Sequence, residues 1–255
     1  MKIKRVIGVI TVFDNIAVQS FGYNKYLPLG DPSVLAENLD RWGADEILML
    51  DVDATKKKSG PNLELLDNLK SINLSTPLIY GGGIRNKKDA ISVIQNGADR
   101  ILVETLADTN PSEVLEIAEQ TGKQAIIRGI CIKQKNNTRH KYNYINRDMT
   151  KIVDNLDEVM NEESCSELMV VDVENEGEEG MFNNEIIEGV DKRGNIIVYG
   201  GVGVGQRAKE LLTNDAVCAI AIGNQLNYTE ESIYNLKTQF SEERIRKTIS
   251  GEELI

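Results

Sequence analysis

Short apolar runs rich in isoleucine and valine alternate along this chain with longer stretches whose apolar residues recur every three to four positions. The runs are Val6–Val12, Glu46–Val52, Pro77–Tyr80, Ile101–Val103, Ala125–Ile130, Leu168–Val173, Asn195–Tyr199 and Val217–Ile222. A nearly continuous β-branched run of this length reads as a strand covered on both faces, the pattern of a parallel sheet. Between the runs lie helical patterns. Asp31-Pro32-Ser33 opens one, Leu35, Leu39 and Trp42 share its face, and Gly43 ends it. Lys87 to Asn96 forms another, closed by Gly97, and Pro111 opens a third ahead of Val114, Ile117 and Ala118. Regular strand–helix alternation predicts a parallel sheet. Eight units predict closure into a (β/α)8 barrel, with an open doubly wound sheet as the alternative. The length of 255 residues fits one such barrel, so residues 1–255 are expected to form a single domain.

The chain also repeats itself. Glu46-Ile47-Leu48-Met49-Leu50-Asp51-Val52-Asp53 resembles Glu167-Leu168-Met169-Val170-Val171-Asp172-Val173-Glu174, and Leu78-Ile79-Tyr80-Gly81-Gly82 resembles Ile197-Val198-Tyr199-Gly200-Gly201. Both matches lie about half the chain apart, which predicts two similar half-barrels. The segment Lys133 to Thr150 is polar, holds Asn136-Asn137, and is expected to be a long loop after the fifth strand.

In such a barrel the chemistry sits at the C-terminal ends of the strands. Gly81-Gly82-Gly83 follows the third run and Gly200-Gly201 the seventh, while Thr105 follows the fourth and Gly223-Asn224 the eighth. Glycine lets backbone N–H groups approach an anion closely, so two repeat-related clusters suit a ligand with a phosphate at each end; the plainer reading is two tight turns. Arg5, Glu46, Arg100 and Glu167 stand at or just before the starts of four strands. They either cluster as a plug or gate at the N-terminal mouth or form separate surface pairs of about 0–1 kcal/mol each. Asp51 and Asp172 end their strands, with Asp53, Glu174 and Glu176 as further candidate acids or bases. Lys56-Lys57-Lys58-Ser59-Gly60 is expected to be a mobile loop above the site.

Charge and composition narrow the partners. A net charge of −11 argues against nucleic acid and against anionic membranes, both of which require a basic face. The three cysteines, Cys131, Cys165 and Cys218, are far apart and read as reduced thiols of a cytoplasmic protein. With His140 as the single histidine, no metal site and no cofactor are expected. Asp14 interrupts the first apolar run too early for a signal peptide or a membrane span.

Taken together and in order, Arg5-Val6-Ile7, Gly30-Asp31-Pro32, Gly43-Ala44-Asp45-Glu46, Leu50-Asp51, Gly81-Gly82-Gly83-Ile84, Gly97-Ala98-Asp99-Arg100 and Gly200-Gly201 resemble the cyclase subunit of imidazole glycerol phosphate synthase. The resemblance runs from Arg5 to about the end of the chain. It implies a duplicated half-barrel and a substrate with two phosphates, held here by Gly81, Gly82, Gly83 and Thr105 and by Gly200, Gly201, Gly223 and Asn224. It also implies a glutaminase subunit docked at the N-terminal mouth, next to Asp99, with Arg5, Glu46, Arg100 and Glu167 as the gate through which ammonia enters. The family's two acid–base aspartates, however, correspond to Thr11 and Cys131, neither of which replaces a carboxylate. Asp51 and Glu176 are the available substitutes. A lysine of the first loop corresponds to Gln19, a phosphate-binding serine to Gly223, and an Asp-Gly-Thr turn to Glu176-Gly177-Glu178. An intact gate beside altered cyclase positions resembles a divergent branch that delivers ammonia for amidation of a surface-polysaccharide sugar, beside a glutaminase and a sugar amidotransferase. A true cyclase of histidine biosynthesis, a lyase, and a non-catalytic phosphosugar-binding barrel are the alternatives.

Overall fold

The structure, a computed structural model, describes residues 3–190, 194–228, 232–240 and 245–246. Its strands are β1 (Arg5–Phe13), β2 (Ile16–Phe21), β3 (Lys25–Gly30), β4 (Glu46–Asp51), β5 (Leu78–Gly81), β6 (Arg100–Val103), β7 (Ile126–Lys135), β8 (Thr138–Asn143), β9 (Asp148–Ile152), β10 (Glu167–Asp172), β11 (Ile196–Tyr199) and β12 (Val217–Ile222). Eight of them pair in parallel in the order β1-β4-β5-β6-β7-β10-β11-β12, and β12 pairs back onto β1. The sheet is therefore closed, and all eight runs predicted from the sequence are barrel strands. Helices α1 (Pro32–Arg41), α2 (Ala54–Lys57), α3 (Leu63–Ser71), α4 (Lys87–Gln95), α5 (Thr105–Thr109), α6 (Pro111–Thr121), α7 (Leu156–Val159), α8 (Gln206–Thr213) and α9 (Ser232–Lys237) follow the strands.

Strand alternation divides the core in two. Ile47, Met49, Ile101, Val103, Val170, Val198 and Ile220 face outward to the helices, while Ile7, Leu48, Ile79, Ile127, Met169, Ile197 and Ala219 fill the barrel. The two Gly-Ala-Asp motifs show how a helix hands over to a strand. Gly43 (φ 79°) and Gly97 (φ 108°) end α1 and α4 in the left-handed region. Ala44 and Ala98 turn into the core, and Asp45 and Asp99 then accept from an N–H at the start of the preceding barrel strand, at Val6 (2.7 Å) and Leu78 (2.8 Å).

Three expectations are corrected. Residues 133–150 are largely strand rather than loop: β7 runs on to Lys135, turns back as β8, and β8 pairs with β9. Asn136 and Asn137 both have positive φ (51° and 57°), which makes them a two-residue hairpin turn whose twist matches the flanking strands. Asp14 and Asn15 (φ 53° and 63°) make the same turn between β1 and β2. The second correction concerns the register of the repeat. β4 pairs Ile47 with Leu78, and β10 pairs Leu168 with Ile196, so the counterpart of Leu78 is Ile196 and not Ile197. A one-residue shift reverses every side chain. Tyr80 accordingly faces the helices, its hydroxyl accepting from Asn62 N at 2.8 Å, while Tyr199 faces the barrel. Thirdly, Lys56 and Lys57 lie in α2 rather than in a mobile loop, and Lys57 is ion-paired to Asp14 (2.9 Å) and Asp53.

Candidate functional site

The barrel has two chemically different mouths. At the N-terminal mouth the first inward-facing residue of four strands is charged. Arg5 binds Glu46 at 2.9 Å and Glu167 at 2.5 Å; Arg100 binds Glu46 at 3.0 Å and Glu167 at 2.6 Å. The four side chains form one closed ring of alternating sign. They are between 7% and 15% exposed, so these are not independent surface pairs. Burial opposes both charged forms. Glu167 and Glu46 outweigh it and raise Arg5 further, and Arg100 and Arg5 outweigh it and hold Glu167 below the usual carboxylate range. Cys218 Sγ lies 3.4 Å from Glu167 Oε1 under the ring, and burial pushes its thiol up to about 12. Asp99 lies exposed on the same face, beside Arg100. Both line a wide groove of about 510 Å³ between α4 and α6.

At the C-terminal mouth the strand ends carry the residues expected there, in two separate groups. The first-half group surrounds an open pocket of about 60 Å³, bounded by Asp51, Gly82, Glu104, Cys131, Tyr23 and Tyr144. Gly82 (φ 119°) runs so close to β4 that a Cβ there would sit 2.1 Å from Asp51 O. Gly200 (φ 92°) stands in the same relation, 2.3 Å from Asp172 O. The glycines are thus required by the approach of neighbouring strand ends. Thr105 opens α5 and lines the pocket with Thr55 and Tyr144.

The second-half group is tighter. Gly201, Gly223, Asn224, Glu176 and Glu178 bound a space of about 20 Å³, close to a single water. Glu176 is held by Ser20 Oγ (2.9 Å), Tyr23 N (3.2 Å) and the Tyr199 hydroxyl (3.2 Å), and Asn224 clasps Ser20 through both backbone groups. These contacts fasten the β2–β3 hairpin over the mouth. Gln19 is buried in that hairpin, opposite Leu27. Burial raises the Glu176 carboxyl, although its three donors work against the shift.

Of the candidate acids, Asp172 is fixed by Asn175 Nδ2 (2.7 Å) and Asn183 N (2.9 Å), and Glu174 is exposed. Asp51 is different. It is 5% exposed, and burial followed by its contact with Asp53 raises it to about 7, whereas Asp53, which Lys57 holds ionised, is lowered. Thr11 and Cys131 point into the mouth and are almost fully buried. The Thr11 hydroxyl meets Tyr199, and burial followed by the Glu104 charge pushes the Cys131 thiol well above its ordinary value.

Glu104 is the residue that sequence reasoning missed. Its Oε1 accepts from Cys131 N at 3.1 Å, and its Oε2 lies 3.6 Å from Cys131 Sγ. Burial raises this carboxyl too. Arg100 and Leu102 alternate along β6 and Glu104 continues the alternation just past its end, so sharing a face with the gate arginine was the available signal.

Comparison with known proteins follows this geometry. A family model described as histidine biosynthesis protein matches residues 5–243. The chain belongs to that family. It is 27% identical over 252 residues to the imidazole glycerol phosphate synthase subunit HisF of Natranaerobius thermophilus, covering 96% of this chain and 98% of that protein. It is 28% identical over 238 residues to the same-named subunit of Dehalococcoides mccartyi strain BAV1, covering 92% and 93%. With the subunit from Sulfurisphaera tokodaii the identity is 38% over 138 residues, 54% of this chain and 55% of that protein. Among the described residues no helix of this family member is long and apolar enough to cross a membrane, and no group of His, Cys, Asp and Glu could hold a metal ion.

Proposed function

We propose that the chain is the HisF-like barrel subunit of a glutamine amidotransferase complex and passes ammonia through its interior. A glutaminase would sit on the N-terminal face around Asp99, the ring of Arg5, Glu46, Arg100 and Glu167 would be the gate, and the acceptor would be a surface-polysaccharide sugar handled with a sugar amidotransferase. The observation that carries this reading is the closed, charge-balanced ring above an apolar interior of Ile7, Leu48, Ile79, Ile127, Met169 and Ile197. Such an interior accommodates neutral ammonia and rejects ions, because an unpaired charge there is strongly disfavoured. Thr11 and Cys131 support the loss of cyclase chemistry, since neither exchanges a proton readily near neutrality. In this reading the Gly200, Gly201 and Gly223 turns offer N–H groups to any phosphate of the ligand. The Gly81, Gly82, Gly83 and Thr105 cluster offers a second set on the opposite half of the mouth.

The test is ammonia transfer with a glutaminase partner, driven either by glutamine or by added ammonium. Arg100→Ala is expected to change the glutamine-driven rate several-fold and leave the ammonium-driven rate alone; equal effects on both would overturn the gate. A second reading, a true imidazole glycerol phosphate synthase cyclase, is favoured by Asp51, which at about 7 has the pKa of a working acid–base group. A cyclase assay on the chain alone with ammonium salt decides between them: turnover at the rate of an authentic cyclase removes the conduit-only reading.

A further inference from the structure

The helical layer is thin over β7. Helices α1, α3, α4, α6 and α8 run for eight to eleven residues, whereas the chain after β7 goes into β8 and β9 and leaves only four for α7. An open cavity of about 480 Å³ remains outside the barrel, between β7, the α5–α6 segment, the β8–β9 hairpin and the α7 segment. Sites for small organic ligands fall in the range of roughly 300–1,000 Å³.

The wall of this cavity holds a buried cation. Arg128 stands between Ile126 and Ile130 on the outer face of β7, in a layer filled elsewhere by residues such as Met49, Val103, Val170 and Val198, and it is 6% exposed. A guanidinium in such a layer has to be paired and hydrogen-bonded, because burial of a lone charge is strongly disfavoured. Its Nη1 donates to the backbone oxygens of Glu104 (3.0 Å) and Gly129, and its Nη2 donates to Asp108 Oδ1. Lys141 Nζ holds the other oxygen of Asp108. A guanidinium has five N–H donors, and Arg128 Nε donates to no acceptor among the described residues. The less exposed part of the lining therefore carries two cations against one acid, with donors still to be used. Lys151, Asp154 and Glu158 are exposed and form the rim. Val114, Ile130 and Val159 supply apolar surface between the two.

We propose that this cavity binds a small organic acid, its carboxylate at Arg128 and Lys141 and its apolar body against Val114, Ile130 and Val159. Asp108 already places one carboxylate between the two cations, so both are within reach of a single planar acceptor group. The ligand takes Arg128 Nε and the Lys141 hydrogens that Asp108 does not use, which is the planar, charge-assisted pairing that guanidinium and carboxylate favour. A cationic ligand would set its charge against Arg128 and Lys141. Arg128 also fastens the ends of β6 and β7 through the Glu104 and Gly129 carbonyls, so an occupant of the cavity sits one side chain away from the C-terminal mouth. The inference stands on the outer lining alone and does not depend on the conduit reading.

The experiment uses the full chain alone at pH 7.5, with benzoate, benzamide and benzylammonium as probes of one shape and three charges, each titrated by saturation-transfer NMR. Benzoate is expected to bind, and the other two to bind at least tenfold more weakly. Arg128→Met is expected to weaken benzoate at least tenfold. Should that variant fail to fold, Lys141→Met is expected to weaken it several-fold in its place. Val159→Trp fills the cavity and is expected to abolish binding, which separates this site from any at the barrel mouths. No binding of benzoate by wild type, equal binding of benzamide or benzylammonium, or benzoate binding unchanged in folded Lys141→Met or Val159→Trp would each overturn the proposal.

Discussion

The two mouths of the barrel use the same chemical group in opposite ways. At the N-terminal mouth each buried carboxylate faces two guanidinium groups, and the charges balance within the ring. At the C-terminal mouth Asp51 is buried and Glu104 half-buried, neither forms an ion pair among the described residues, and both carboxyls are raised by burial. Burial disfavours the ionised form at both ends, and the presence or absence of a paired charge decides the outcome. Deleting an acid should therefore destabilise one end and stabilise the other.

The largest effect is expected at the ring. Glu46→Ala leaves Arg5 and Arg100 sharing a single acid, and truncating one partner of a buried pair costs about 3–5 kcal/mol. Chemical denaturation should report that loss. A change below about 1 kcal/mol would mean that the ring behaves as four surface pairs, which was the plain alternative on sequence alone. The pH dependence has a sign as well. Glu167 is lowered in the folded protein, so its contribution is present above its unfolded pKa of about 4.3 and disappears as pH falls through the lower folded value.

Asp51→Asn should act in the opposite direction. The folded pKa of about 7 lies above the unfolded value of about 3.9, so the aspartate's favourable contribution is present below pH 3.9 and lost as pH rises through 7. The amide is isosteric with the protonated acid and keeps an acceptor for Ala54 N. We expect the variant to be more stable than wild type by up to about 4 kcal/mol at pH 8, with the difference opening between pH 4 and 7 and then levelling. Thermal denaturation across that range checks it. A variant less stable at pH 8 would show that ionised Asp51 has a compensating partner.

Most of the barrel was legible in the sequence because its signals are local. β-branched runs, proline at helix starts and glycine at helix ends mark each unit without reference to its neighbours. The ring was half legible: four charged strand starts were visible, but only closure of β12 onto β1 brings Arg5 and Glu167 together. What could not be read depended on pairing register. The repeat was matched one residue out because Tyr-Gly-Gly occurs in both halves, and the shift hid that Tyr80 and Tyr199 face opposite sides. Asn136-Asn137 looked like loop chemistry and is hairpin chemistry, since the same residue type serves both wherever φ is positive. Glu104 escaped notice for a related reason. It lies one residue beyond its strand, and its working position is defined by Cys131 on the neighbouring one.

The smallest predicted effect sharpens the same comparison. Thr11 occupies a position where the family resemblance implies a carboxylate, and its hydroxyl meets Tyr199, whose own hydroxyl donates to Glu176. If the second half of the mouth is held together by a hydrogen-bond chain rather than by charge, Thr11→Val removes one neutral bond of that chain and leaves the Tyr199–Glu176 bond in place. The expected loss is about 1 kcal/mol, independent of pH between 6 and 8, since no ionised group loses its partner. Urea denaturation of the variant measures it. A loss several times larger, or one that grows with pH, would mean that Thr11 offsets the charge of Glu176, and the C-terminal mouth would then be electrostatically balanced in its second half as the N-terminal mouth is throughout.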